Sequence, residues 1–304
     1  MAGAGVRDIL IEGPWRHRDI AANGIRLHVA AGLHLAPDRP LVVLLHGFGE
    51  FWWAWRHQIA ALDDAGYSVA AMDLRGYGAS DKTPRGYDPQ TTAADVAGVV
   101  RSLGHRRAVV VGHDWGGIAA WSTVAFAADQ VAALASVAAP HPLEYPWRRG
   151  LRHLSFFQVP LFPERRIMAD DGAYIEELLR SRAAPGSPFL SAADARHYRD
   201  ALMLWPSPHC ALEYQRMFVR NQFRGAGVTY RRALRVPLRV PLLSVHGQAD
   251  QLVPAAAMVR AEAYVQARHE LVSLPGVGHL PHEEAPEEFN RILLDWLVSL
   301  AGGP

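Results

Sequence analysis

Ala108-Val109-Val110-Val111-Gly112-His113-Asp114-Trp115-Gly116-Gly117 is the stretch from which this chain is best read. Its apolar run, 108–111, predicts a strand buried on both faces, and a helix is expected over 115–128. Small residues stand two before Asp114 and two and three after it, which lets backbones approach closely in a sharp, strained turn. Such an elbow leaves its central side chain exposed at a helix N-terminus, where the dipole and free N–H groups hold a carboxylate ionised. Taken alone, the spacing leaves Asp114 either a helix cap or a nucleophile.

Outward from this elbow, apolar runs of strand length recur at 41–45, 67–72, 131–138, 241–245 and 270–274. Helix-sized segments lie between them at 52–65, 91–103, 254–267 and 286–299. Asn23-Gly24, between 18–22 and 25–30, predicts a hairpin. Together these give an α/β fold, a mostly parallel eight-stranded sheet with helices on both faces, whose sites form at the C-terminal strand ends. The alternation fails over 140–235, where aromatic residues such as Phe156, Phe157, Tyr174 and Trp205 are too frequent for a disordered linker. That segment reads as an inserted helical cap, with 1–139 and 236–304 forming the core.

Composition narrows the function classes. Lys plus Arg number 31 against 30 Asp plus Glu, so no global field recruits nucleic acid or an anionic membrane, and a small uncharged ligand is expected. Cys210 is the single cysteine, which excludes an intrachain disulfide and a thiolate metal site. No histidine pair has convincing ligand spacing, so neither metal nor cofactor is expected. The apolar stretch from Ile118 to Ala139 is broken by Asp129 and Gln130 and reads as buried helix and strand, not a membrane span. The N-terminus has no signal-peptide pattern, and a cytoplasmic protein is expected. Composition leaves the choice between monomer and homodimer open.

An elbow nucleophile needs an acid and a histidine, following it in that order along the chain. Asp250 follows the strand at 241–245, and His279 follows the strand at 270–274 in Gly276-Val277-Gly278-His279. The strand ending near Ala138 leads into Ala139-Pro140-His141-Pro142, which offers no carboxylate, so Asp250 is the well-placed acid. His46-Gly47-Phe48-Gly49-Glu50 follows the first long parallel strand. It can present the Phe48 N–H, with that of Trp115, as an oxyanion hole.

These segments, together with Asp73-Leu74-Arg75-Gly76-Tyr77-Gly78-Ala79-Ser80-Asp81, resemble the epoxide hydrolases of the α/β-hydrolase fold over nearly the whole chain. The resemblance implies attack by Asp114 on an sp3 carbon, then hydrolysis of the resulting ester by water that His279 activates, with Asp250 orienting His279. It also implies two acidic donors in the cap, usually tyrosines, that receive the epoxide oxygen. In His153-Leu154-Ser155-Phe156-Phe157-Gln158 the first falls on His153, a departure from the pattern, and the second falls on Tyr214.

Trp115, Phe48 and Phe157 are expected against a small apolar epoxide, while Trp52, Trp53 and Trp55 are expected to pack as a helix face. Haloalkane dehalogenases share most of these motifs, and the Trp115 indole could serve a halide. Their usual second donor, often an asparagine, is replaced here by Phe48, which has no side-chain donor. A non-catalytic small-molecule binder is the further alternative, against which the full set of Asp114, Asp250 and His279 argues.

Overall fold

The computed structural model describes residues 5–146 and 155–301. Apolar runs without polar alternation become central strands: β3 (Leu41–Leu45), β4 (Ser68–Met72) and β5 (Ala108–His113) are buried along their whole length. With β1 (Trp15–Ala22), β2 (Ile25–Gly32), β6 (Val131–Val137), β7 (Leu242–Gly247) and β8 (His269–Leu274) they form one eight-stranded sheet in the order β1-β2-β4-β3-β5-β6-β7-β8. The β1–β2 hairpin turns at Asn23-Gly24, and β2 pairs antiparallel with β4; the remaining pairs are parallel.

Helices α1 (Arg56–Asp64), α2 (Pro89–Ser102) and α3 (Asp114–Ala127) connect the first parallel strands. Helix α2 starts where Asp88 accepts the Thr91 N–H and Pro89, with no N–H to leave unpaired, opens the first turn. Between β6 and β7 come α4 (Phe162–Met168), α5 (Ala173–Arg182), α6 (Ala192–Met203), α7 (Ser207–Asn221) and α8 (Gly225–Leu234). The chain closes with α9 (Ala255–Arg260), α10 (Pro281–Glu284) and α11 (Pro286–Ala301). No helix among the described residues is long and apolar enough to cross a membrane.

Two expected helices are shorter than their sequence patterns. The segment expected at 52–65 begins as a 3-10 turn, Trp52–Trp55, whose first N–H is accepted by the Asp73 carboxylate at 2.8 Å. Trp52 and Trp55 are fully buried there, while Trp53 turns its indole N–H to Asp194 at 2.9 Å, so the three tryptophans do not share one face. The segment expected at 254–267 ends early because Val265 bridges to Leu238, drawing the chain out of helix.

Strands β3 and β5 are neighbours, with Leu45 opposite Gly112, so the loops leaving their C-terminal ends meet. The Asp73–Asp81 motif supports this region. The Asp73 carboxylate also accepts the Ala79 N–H and His28 Nδ1, and Arg75 grips Asp95 through two bonds of 2.8 and 2.6 Å.

Candidate active site

Asp114 stands between β5 and α3 with φ +47°, a left-handed conformation that costs a non-glycine residue energy and persists only where the surroundings enforce it. The enforcement is steric. A Cβ at position 112 would lie 2.3 Å from the Gly116 carbonyl oxygen, and one at position 116 would lie 2.2 Å from that of Leu45. Only glycine lets these backbones close around the elbow.

The carboxylate is buried, and its two oxygens face different partners. Oδ2 accepts the Phe48 N–H at 3.2 Å, and Oδ1 lies 3.9 Å from His279 Nε2. His279 Nδ1 meets Asp250 Oδ2 at 2.8 Å, while Asp250 Oδ1 accepts the N–H groups of Leu252 and Val253. Residues that follow one another in the chain as Asp114, Asp250, His279 thus lie in space as the line Asp114, His279, Asp250. The Trp115 N–H follows in the first turn of α3, where helix geometry gives it no intrahelical acceptor.

Electrostatics follow from this line. Burial opposes the charge on Asp114, yet its contact with His279 and the charges of Arg182, His279 and His113 hold it well below the usual carboxylate range. Burial likewise pushes His279 down, but Asp250 and Asp114 outweigh it and raise the imidazole to about 9. Asp250, disfavoured by burial, is kept low by His279 and its two backbone donors. At neutral pH the arrangement is a carboxylate, an imidazolium and a second carboxylate.

Behind it lies a second layer. His113 Nδ1 meets Glu50 Oε2 at 3.0 Å and His113 Nε2 meets the His279 carbonyl at 2.8 Å, so the residue before Asp114 ties the elbow to the histidine loop. Glu50 also accepts the Gly47 N–H at 2.6 Å. Burial disfavours its charge, but His113 and that backbone donor lower it to about 2. Glu50, His113 and His282 are the metal-capable cluster among the described residues, with ligand atoms within 4.8 Å of one another. Glu50 Oε2 and both His113 nitrogens are already engaged, whereas Glu50 Oε1 and both His282 nitrogens are buried without partners among the described residues.

Over this layer lies the insertion between β6 and β7. Phe157 packs on Phe48 in a tilted arrangement with ring centroids 5.6 Å apart. Trp115 packs edge-on against Phe218 and lines a cavity shared with Tyr87, Thr92 and Tyr214. The Tyr214 hydroxyl donates to the Arg75 carbonyl at 2.9 Å, which directs it to the loop after β4. His153, the other expected cap donor, lies outside the described residues.

The structure also brings up residues the motifs did not single out as part of the site. Burial, followed by the charge of Asp114, raises Tyr77 and Tyr145 far above the ordinary tyrosine range, and the Tyr77 hydroxyl has no partner among the described residues. Arg182, at the end of α5, reaches Asp114 Oδ2 with its Nη1 at 3.4 Å. No local pattern marks Arg182 among the insertion's many arginines. Glu50, His113 and Tyr77 lay inside quoted motifs, where their partners were invisible.

Residues 42–292 match the alpha/beta hydrolase family. Epoxide hydrolase 3 of Xenopus tropicalis is 33% identical, the match covering 90% of this chain and 75% of that protein. Epoxide hydrolase A of Mycobacterium tuberculosis is 31% identical over 93% of this chain and 97% of its own. Among solved structures, epoxide hydrolase A from Mycobacterium thermoresistibile superposes with a TM-score of 0.79 at 28% identity, covering 93% of this chain and 98% of that one. The chain belongs to the epoxide hydrolases of the α/β-hydrolase family.

Proposed function

We propose that this protein hydrolyses epoxides to vicinal diols through a covalent ester on Asp114. The observation that carries the reading is the division of labour on the Asp114 carboxylate: Oδ2 sits against the Phe48 N–H while Oδ1 faces His279, itself oriented by Asp250. Aspartate is a nucleophile at neutral pH without help, so it suits an sp3 carbon bearing a leaving oxygen. Oδ1 attacks an epoxide carbon, the C–O bond of the ring breaks, and the alkoxide takes a proton. The ester has no negative charge, so the part of His279's basicity that Asp114 supplied disappears, and the imidazolium gives up its Nε2 proton to solvent to become a neutral base. His279 then accepts a proton from water as that water attacks the ester carbonyl.

The segment 140–235 serves as the cap. Its expected donors to the alkoxide are His153 and Tyr214, the latter only on giving up its bond to the Arg75 carbonyl, and Tyr145 joins them. Burial and the charges of Asp114 and Asp250 keep the Tyr145 phenol protonated, the state a general acid needs. Phe48, Phe157 and Trp115 wall an apolar site for the epoxide. The expected setting is a soluble cytoplasmic enzyme acting without a cofactor.

The test is a single-turnover reaction with an aryl epoxide in heavy-oxygen water and mass spectrometry of the Asp114 peptide. Label in Asp114 together with diol supports the reading. Absence of both, with halide released from a haloalkane panel, replaces it by dehalogenation.

A further inference from the structure

The Arg182 guanidinium presents an unusual balance. Its polar partners among the described residues are the Phe48 carbonyl and Asp114 Oδ2, both 3.4 Å from Nη1, and its face lies 5.8 Å from the Phe48 ring centre. The side chain is 14% exposed, so solvent screens the charge only in part. A cation in this position stabilises the resting carboxylate, which makes Asp114 a weaker nucleophile. That cost is recovered only if the same charge helps a later step. Oδ2 identifies the step, because the Phe48 N–H and the guanidinium converge on one oxygen, and that oxygen is the one turned away from His279.

We propose that Arg182 is a catalytic residue of the second half-reaction, supplying a cationic donor that completes the oxyanion hole. The inference rests on the ester reading above. In the ester, Oδ1 carries the alkyl group and Oδ2 is the carbonyl oxygen. Water's oxygen bonds to the carbonyl carbon, its proton passes to His279 Nε2, and the π pair moves onto Oδ2. The tetrahedral oxyanion then meets a full positive charge as well as backbone N–H groups. Collapse restores the C=O bond, breaks the bond from the carbonyl carbon to the alkyl-bearing oxygen, and returns the proton from His279 to the departing alkoxide. The present distances of 3.2 and 3.4 Å exceed the about 2.7–3.1 Å of a filled hole, as expected while a ground-state carboxylate occupies it.

Charge accounting makes the two half-reactions respond in opposite directions. Alkylation removes negative charge beside Arg182, and hydrolysis creates it. In Arg182→Met the ester should therefore form as fast as in the wild type or faster, yet persist at least about tenfold longer; loss of a fully buried donor costs about 10²–10³-fold. Arg182→Lys should restore part of the hydrolysis rate. The experiment is rapid-quench intact-mass measurement of ester formation and decay with an aryl epoxide in the wild type and both variants.

Accumulated ester in Arg182→Met with partial rescue in Arg182→Lys is the expected result. Equal slowing of both steps, or an unchanged ester lifetime, overturns the inference and leaves the ester reading standing. A wild-type enzyme that never forms the ester overturns the parent reading and this one with it.

Discussion

The backbone N–H of His279 donates to the carbonyl of Arg182 at 2.9 Å. The end of α5, in the insertion between β6 and β7, is thereby bonded to the loop that carries the expected base. Around it, Glu284 accepts the N–H groups of both Ala184 and Gly278, and a Cβ at position 278 would lie 2.4 Å from the Ala184 nitrogen. The insertion and the histidine loop are locked together at this point, so the position of His279 depends on how α5 is seated.

Asp114→Asn should fold, because asparagine tolerates the left-handed conformation at φ +47° better than other residues do. It should lose activity by about 10⁶-fold, the scale seen when the nucleophile of such a constellation is removed. Steady-state turnover beside a thermal melt checks both halves, and an active variant would remove Asp114 from the chemistry.

Asp250→Asn should trap the ester. Alkylation by Asp114 needs no proton taken by His279, but hydrolysis does, and His279 without the Asp250 carboxylate loses its orientation and its charge partner. Intact mass after mixing with excess epoxide should show a stable adduct on this variant. A variant that turns over without adduct assigns the orienting role to another acid.

The raised basicity of His279 links stability to pH. Its folded value of about 9 lies above the ordinary 6.5, so its stabilising contribution is fully present below about pH 6.5 and is lost as the pH rises through about 9. Melting temperature followed from pH 6 to 10 should fall across that window more steeply in the wild type than in His279→Gln. Identical slopes would show that the Asp250 and Asp114 charges do not raise the imidazole.

Arg56→Met should destabilise the fold by about 3 kcal/mol, the scale for stranding one partner of a buried ion pair. Arg56 reaches Glu283 at 2.7 Å and Asp194 of α6 at 3.4 Å, and Glu283 also accepts the Tyr198 hydroxyl. Burial raises Glu283 to about 7 even with Arg56 beside it, so without the cation the carboxyl should bind a proton near neutrality. Denaturant unfolding of Arg56→Met with and without Glu283→Gln should show the second change recovering part of the loss. Additive losses would deny the coupling.

Gly116→Ala should fail to accumulate as soluble protein, since its Cβ would meet backbone of β3 that has nowhere to move. Comparison of soluble yield with Gly225→Ala, where an added Cβ meets nothing within 4 Å and φ is not positive, separates this clash from general glycine loss.

The sequence by itself determined the alternation of strands and helices, the elbow at Asp114 and the order Asp114, Asp250, His279. Each of these is written in local terms: an apolar period, a glycine where a Cβ cannot fit, a residue just past a strand end. Strand ends in a parallel sheet are then brought together by the topology, so residues far apart in the chain converge without any further code. Only the tertiary structure decided that Trp52–Trp55 breaks from α1 to meet Asp73, that His113 joins Glu50 to the His279 carbonyl, and that Tyr214 donates to Arg75. It alone selected Arg182, 68 residues from Asp114, out of an arginine-rich insertion. The physical reason is that a long, flexible charged side chain carries no periodic signature. Its partner is set by how α5 docks, and that docking is fixed by contacts spread over the insertion, the loop after β3, α10 and the His279 loop together.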